Sequence, residues 1–214
     1  MAMKESTETY RVLIVDDFLI SRQVFENAVA SAESFELAAS LDSAEEAVRY
    51  VGKSAVDLVI MDVVMREGIN GLTAAKQIKE IRPETRILIV TSMPEVSYIN
   101  RARQIGVESF WYKEVQEEPI LDVMERTMAG ESIYPDSTPV VSLGNAISTE
   151  FTERETEVLR ELVDGSSNKE IAERLGITER TVKMHITSMM EKTGFRSRLE
   201  LAVKARTGGL VIPD

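Results

Sequence analysis

The sequence has 214 residues, of which 43% are hydrophobic and 29% charged, as expected for a folded globular chain long enough for two domains. The absence of cysteine excludes disulfides, thiolate metal sites and thiol nucleophiles. The net charge of −11 disfavours nucleic acid as a partner of the chain as a whole, and no apolar run reaches the ~18 residues of a membrane span. Because the polar opening MAMKESTETY also lacks a secretory signal, we expect a cytoplasmic protein with no membrane partner.

Five short apolar runs, each followed by a helical pattern, come first along the chain. They are YRVLIV (10–15), FELAAS (35–40), DLVIM (57–61), RILIV (86–90) and ESFWY (108–112). Near-continuous apolar strands that alternate with helices predict a doubly wound, five-stranded parallel sheet of the flavodoxin-like kind, covered by helices on both faces. Ser43 with Glu46 predicts a capping box at the second helix, and Gly106 predicts the end of the fourth.

Polar side chains stand where the predicted strands end. The carboxyl ends of parallel strands meet at one edge of a sheet, where ligands bind in such folds. A single aspartate there is most often a cap or turn residue, but agreement at three further strands favours a site. The set comprises Asp16 and Asp17 after the first strand, Asp62 after the third, Thr91 after the fourth and Lys113 after the fifth.

This set of side chains suits phosphoryl chemistry. Three carboxylates this close cannot all stay ionised without a cation, and their oxygens are ligands that Mg²⁺ prefers. The ammonium of Lys113 and the hydroxyl of Thr91 would stabilise a transferred phosphoryl group. Since aspartate can accept a phosphoryl group covalently, Asp62 at the end of a buried strand is the candidate nucleophile.

The composition changes after the fifth predicted strand and helix. Residues 129–148, AGESIYPDSTPVVSLGNAIS, contain Pro, Gly and Ser without a strong period and predict a linker. The remaining pattern predicts four helices with capping boxes at the first (Thr152, Glu155) and the last (Ser197, Glu200). The helices span about 152–163, 168–175, 178–192 and 197–206. We therefore expect an α/β domain over residues 1–128, the linker, and a small all-α domain over 149–214.

The second and third of these helices fit a helix-turn-helix. A tight turn at Gly176 separates them, and Thr178 caps the longer helix. Apolar residues face inward on both, from Ile171, Ala172 and Leu175 and from Val182, Ile186, Met189 and Met190. The outward face is charged, which is also typical of a solvated surface helix. Residues 168–206 carry nine basic against five acidic residues, which favours a helix that lies in a DNA groove.

The segments VLIVDD, LVIMDVVM, ILIVTS and FWYK, in this order and spacing, resemble the receiver domain of two-component response regulators. The segment FTERETEVLRELVDGSSNKEIAERLGITERTVKMHITSMMEKTG resembles the LuxR-type helix-turn-helix. The combination is similar to the NarL/FixJ family. The resemblance implies a transcription regulator, not an enzyme, that is phosphorylated by a sensor histidine kinase. Phosphorylation would control homodimerisation, exposure of the recognition helix, or both, and so binding to a double-stranded DNA operator.

The resemblance also implies roles for the strand-end residues. Asp62 matches the phosphoryl acceptor, and the Mg²⁺ ligands are matched by Asp16, Asp17, Asp62 itself and the backbone carbonyl of Val64. Thr91 matches the switch hydroxyl, although a helix cap is an alternative, and Lys113 matches the invariant lysine. The aromatic switch position falls on Phe110, for which core packing is equally compatible.

In the DNA-binding part, the resemblance makes Lys183, Met184 and Thr187 the base-facing residues. Six others match phosphate contacts, which position the protein without reading sequence. They are Thr152, Asn168, Lys169, Thr178, Arg180 and Lys192. The last helix, with Leu201, Ala202 and Ala205, is either a dimer face or part of the domain's own core.

The chain departs from the family pattern at three places. Arg66 stands four residues after Asp62, where Pro is common; the loop MREGINGL is one residue longer; and Glu114 replaces a frequent Pro after Lys113. Two rival functions follow from the residues. One is a phosphorylation-independent transcription factor with a vestigial receiver. The other is a Mg²⁺-dependent phosphohydrolase, which is disfavoured because Val64 stands where a general acid is needed.

Overall fold

The computed structural model describes residues 9–93, 96–113, 118–136, 140–208 and 210–211, with 96–97 as backbone only. The chain divides into two compact units, and the main division falls between residues 136 and 137. Among the described residues, every helix is too short or too polar to cross a bilayer.

The first unit contains the predicted parallel sheet, and each strand begins and ends within one residue of its predicted bounds. The strand order is β2-β1-β3-β4-β5, and every neighbouring pair is parallel. This order brings the ends of β1 and β3 together, where the direction of winding reverses and ligands bind. The strands are β1 (Tyr10–Val15), β2 (Phe35–Leu41), β3 (Leu58–Asp62), β4 (Arg86–Thr91) and β5 (Ser109–Tyr112).

Helices cover both faces of this sheet, so the central strands have no solvent-facing side. Val12–Val15 and Leu58–Met61 are completely buried, which explains why these strands read as continuous apolar runs rather than alternating ones. The helices are α1 (Leu19–Ala30), α2 (Ala44–Lys53), α3 (Gly71–Ile81), α4 (Val96–Ile105) and α5 (Ile120–Met128).

The predicted end of α4 at Gly106 is found, and so is the predicted cap of α2 at Ser43, but without the full capping box. Gly106 ends α4 in the left-handed region at a φ of +86°. Ser43 caps α2 by accepting the Glu46 N–H at 3.3 Å, but its hydroxyl donates to the neighbouring Glu45 at 3.1 Å. Ser43 is therefore the cap as predicted, but the other half of a capping box, a Glu46 carboxylate that accepts the Ser43 backbone N–H, is not found among the described residues.

The second unit contains four helices and a short antiparallel hairpin. The hairpin consists of β6 (Ser142–Leu143) and β7 (Ala146–Ile147) and falls inside the segment predicted as a linker. Its turn needs Gly144, at a φ of +64°, because a Cβ there would lie 2.2 Å from the Thr193 carbonyl oxygen. The helices are α6 (Glu153–Val163), α7 (Asn168–Leu175), α8 (Glu179–Thr193) and α9 (Arg198–Thr207).

The core of the second unit decides between the two readings of the last helix. Leu201 and Ala205 are completely buried beside apolar residues of α6, α7 and α8. These two residues therefore form part of the domain's own core, and the dimer-face alternative is wrong for them. The exposed apolar residues of α9 are instead Leu199 and Val203, which are 70% and 48% exposed.

Candidate functional site

The strand-end carboxylates come together at one edge of the sheet. One oxygen from each of Asp16, Asp17 and Asp62 lies within 4.8 Å of the others. Lys113 adds a cation, with its Nζ 2.6 Å from Asp16 Oδ2 and 2.8 Å from Asp62 Oδ2. Lys113 and Arg66, whose Nε lies 3.3 Å from Asp17 Oδ2, carry two positive charges and do not balance three carboxylates. This all-oxygen donor set fits a hard divalent cation such as Mg²⁺.

Asp62 is held in place by the fold around it. It is the last residue of β3, it is only 7% exposed, and its Oδ1 accepts the Val64 N–H at 3.2 Å. Burial raises the pKa of Asp62 to about 6, with a smaller contribution from Asp16, while Lys113 opposes the rise. A rigid strand end thus presents an ionisable oxygen that is costly to keep charged.

We expect Asp62→Asn to stabilise the metal-free protein by about 1–2 kcal/mol near pH 7.5. Since the folded-state pKa lies above the ordinary 3.8, the stability contributed by Asp62 is fully present below about pH 4 and lost as the pH rises through about 6. Asparagine carries no charge and avoids that loss. Thermal unfolding with EDTA between about pH 4 and pH 7.5 measures the effect. A gain of equal size at both pH values would contradict this cause.

Thr91, the last residue of β4, and Lys113, which directly follows β5, lie at the ends of neighbouring strands. Thr91 is fully buried at the end of β4, and its backbone carbonyl accepts the Lys113 N–H at 3.0 Å. Burial alone would lower the pKa of Lys113, but the carboxylates of Asp62 and Asp16 raise it overall. The lysine therefore stays charged. Glu114, which follows it, lies outside the described residues.

Phe110 is 1% exposed and packs between two tyrosines. Its ring centroid lies 5.2 Å from that of Tyr112, edge to face, and 6.3 Å from that of Tyr134, stacked. The Tyr134 hydroxyl donates to the Val107 carbonyl at 2.7 Å, and the Arg103 guanidinium lies 4.7 Å from the Tyr134 ring. The sequence reasoning missed Tyr134 because it falls in the predicted linker; an aromatic residue in a polar segment was the available signal.

The predicted helix-turn-helix is present in the second unit. α7 ends at Gly176, which is left-handed at a φ of +63°, and Thr178 caps α8 by accepting the Thr181 N–H at 3.1 Å. Ser167 and Glu170 form a capping box at the start of α7 that the sequence reasoning did not identify. The capping box at Thr152 and Glu155 is confirmed.

The two faces of α8 differ as predicted. Val182, Ile186 and Met189 are buried, whereas Lys183, Met184 and Thr187 are exposed. Met184 is 61% exposed. All three candidate base-facing residues line one open groove, together with Arg180, Ser188 and Glu191.

The candidate phosphate contacts fall into two groups. Lys169, Thr178 and Arg180 are exposed, whereas Thr152 caps α6 and Asn168 accepts from Arg198 at 3.1 Å. Lys192 donates to Glu155 Oε2 at 2.6 Å and to the Glu150 carbonyl at 2.8 Å. Burial raises the pKa of Glu155, but the hydrogen bond from Lys192 contributes to a net lowering. Lys192 is thus engaged within the fold.

Comparison with known families matches both units. The family model of the response regulator receiver domain matches residues 12–125, and that of bacterial regulatory proteins of the luxR family matches residues 149–205. The Fimbriae Z protein of Salmonella typhimurium is 31% identical over 206 residues, which cover 94% of this chain and 98% of that protein. Response regulator protein VraR of Staphylococcus aureus is 30% identical over 209 residues, 95% and 99% of the two chains.

Solved structures show the same architecture. A LuxR-family two-component response regulator from Aurantimonas is similar with a TM-score of 0.55 and 25% identity, covering 58% of this chain and 89% of that one. RcsB from Salmonella enterica serovar Typhimurium, bound to a promoter in the presence of the phosphomimetic BeF3−, gives a TM-score of 0.62 over 94% and 99% of the two chains, at 18% identity. The second likeness concerns the fold alone.

Proposed function

The chain belongs to the two-component response regulators that join a receiver domain to a LuxR-type DNA-binding domain, and we propose that Asp62 is the residue through which its sensor histidine kinase controls it. It is a transcription regulator whose partners are that kinase and double-stranded DNA. The observation that carries the proposal is the convergence of three carboxylates and Lys113 at the end of β3. We further propose that it acts in the cytoplasm, where its operator lies, and is not an enzyme.

In the proposed reaction, a carboxylate oxygen of Asp62 attacks the phosphorus of a phosphohistidine on the kinase. A P–O bond forms, the P–N bond breaks, and its electron pair leaves on the imidazole, which takes up a proton. Asp16, Asp17 and the Val64 carbonyl would hold Mg²⁺, which supplies positive charge for the phosphoryl oxygens. Lys113, whose Nζ lies 2.8 Å from Asp62 Oδ2, offers a second positive charge beside the acceptor.

The new phosphoryl group would change the surroundings of β4 and β5. It adds about −1.5 to −2 charge beside the buried end of the sheet, and we propose that the Thr91 hydroxyl and Lys113 are drawn to it. Phe110 lies on β5, three residues before Lys113, and its ring stacks against that of Tyr134. A shift of Phe110 would therefore reach the segment that leads to the DNA-binding unit. A coupling of roughly 1–3 kcal/mol is enough for a strong switch.

At the DNA end, the groove on α8 is proposed to face the bases. Lys183 can donate to guanine, Met184 can contact a thymine methyl group, and Thr187 completes the set. A single copy has little net positive charge and would bind weakly and in a salt-sensitive manner. Two phosphorylated copies on half-sites about 34 Å apart would gain affinity by avidity, so we propose a homodimer on DNA.

Selection of DNA from random sequence, with and without beryllofluoride, tests this function. We expect beryllofluoride with Mg²⁺ to enrich a sequence with two related half-sites about one helical turn apart, because the phosphoryl mimic favours the paired form. Equal enrichment in both arms would instead support the phosphorylation-independent transcription factor with a vestigial receiver. The variant Tyr134→Leu should select the same sequence with a smaller beryllofluoride effect, since its base contacts are intact.

A further inference from the structure

Arg66, in the loop between β3 and α3, binds one of the three clustered carboxylates. Its Nε lies 3.3 Å from Asp17 Oδ2, and its backbone N–H donates to the same oxygen at 2.9 Å. Lys113 contacts the carboxylates of Asp16 and Asp62, so Arg66 supplies the positive charge next to the third. The Asp17 side chain is only 12% exposed, whereas that of Arg66 is 66% exposed, so water screens this contact only from the arginine side.

A second contact fixes the direction of the guanidinium. Its Cζ lies 4.7 Å from the centroid of the Phe18 ring, within the range of a cation–π interaction. Phe18 directly follows Asp17 in the chain and is 56% exposed, so the ring is available as a platform. Arg66 is therefore held by a carboxylate, a backbone hydrogen bond and an aromatic face, unlike a surface arginine with a single ionic partner.

The loop that carries Arg66 is itself attached to the fold. Glu45, in the first turn of α2, accepts the Ile69 N–H at 2.7 Å. Gly68, at a φ of +80°, makes this approach possible, because a Cβ there would lie 2.0 Å from Glu45 Oε1. The longer loop noted in the sequence is thereby tied to α2, and this keeps Arg66 within reach of Asp17.

We propose that Arg66 is a tethered counter-ion of Asp17 that opposes magnesium binding and so sets the metal concentration at which the acidic cluster fills. The proposal rests on the function above, in which these carboxylates hold Mg²⁺. A fixed positive charge on one ligand lowers the attraction of the cluster for a divalent cation. Magnesium must share or take the oxygen that Arg66 now contacts. If water and salt screened the Arg66 charge completely, the pair would leave metal binding unchanged.

Magnesium binding to the full chain tests this role without any phosphorylation. We expect Arg66→Gln to bind Mg²⁺ about five-fold more tightly at low salt, because one opposing charge is lost, and the difference to shrink as KCl is added. Isothermal titration with MgCl2 measures the affinity directly, and the rise of the unfolding temperature with MgCl2 gives it independently. Arg82→Gln is the matched control. This arginine follows α3 and pairs with Glu84 at 3.8 Å. Among the described residues it has no contact with Asp16, Asp17 or Asp62.

The outcomes separate this proposal from the function on which it rests. Equal or weaker Mg²⁺ binding by Arg66→Gln, or an equal gain in Arg82→Gln, would overturn the counter-ion role while leaving the metal site in place. If Asp17→Asn binds Mg²⁺ as tightly as the parent chain, the acidic cluster is not the metal site and both proposals fail. Tighter binding by Arg66→Gln alone, lost when Asp17→Asn is added, is the expected result.

Discussion

Replacement of Asp62 by asparagine is expected to abolish phosphorylation of the protein by acetyl phosphate with Mg²⁺. The amide has no anionic oxygen to attack phosphorus, and no other carboxylate of the cluster ends β3 with Lys113 at 2.8 Å. Intact-protein mass spectrometry should show complete loss of the phosphoryl adduct. The variant should remain folded, since asparagine keeps an oxygen that can accept the Val64 N–H.

Asp57→Asn provides a matched control at the start of the strand that Asp62 ends. Asp57 directly precedes β3 and accepts the Arg11 N–H with Oδ2 at 2.7 Å, so it lies at the opposite end of β3 from Asp62. Its amide variant loses the same charge and should still be phosphorylated like the parent chain. Full phosphorylation of Asp62→Asn, or equal loss in both variants, would show that Asp62 is not the acceptor.

The receiver fold could be predicted from the sequence because its signals are local. A parallel sheet covered on both sides needs strands that are apolar throughout, and Val12–Val15 and Leu58–Met61 carry that requirement in consecutive residues. Topology then places the strand ends at one edge, so Asp16 and Asp62 could be brought together without knowing any distance. Where the pattern is set by neighbours in the chain, the sequence is sufficient.

Contacts between distant segments could not be predicted in the same way. Nothing near Lys192 indicates that Glu155, 37 residues earlier, takes its ammonium. Tyr134 resembles part of a polar linker until its ring is placed against Phe110. Glu45 is an ordinary first-turn acid until Ile69 donates to it from the next loop but one. Each of these residues has a partner selected by packing of the fold, which composition and periodicity do not report.

The second large expected effect concerns α8, the helix proposed to read the DNA bases. Lys183→Ala should weaken binding to the selected operator by about thirty-fold and relax the base preference at one position in each half-site, as expected when a base-edge contact worth about 2 kcal/mol is lost. Lys183 is exposed in the groove on α8 and has no ionic partner among the described side chains. Fluorescence anisotropy on the operator and on single-base variants measures both changes.

Two lysine variants distinguish base reading from general charge. Lys169→Ala, at the start of α7, should weaken binding to all sequences alike and reduce the salt dependence, because a phosphate contact carries no sequence information. Lys204→Ala removes the same charge from α9, outside the groove, and should change affinity little. If Lys183→Ala weakens all sequences equally, then Lys183 contacts phosphate, and the base-reading role passes to Met184 and Thr187, which line the same groove.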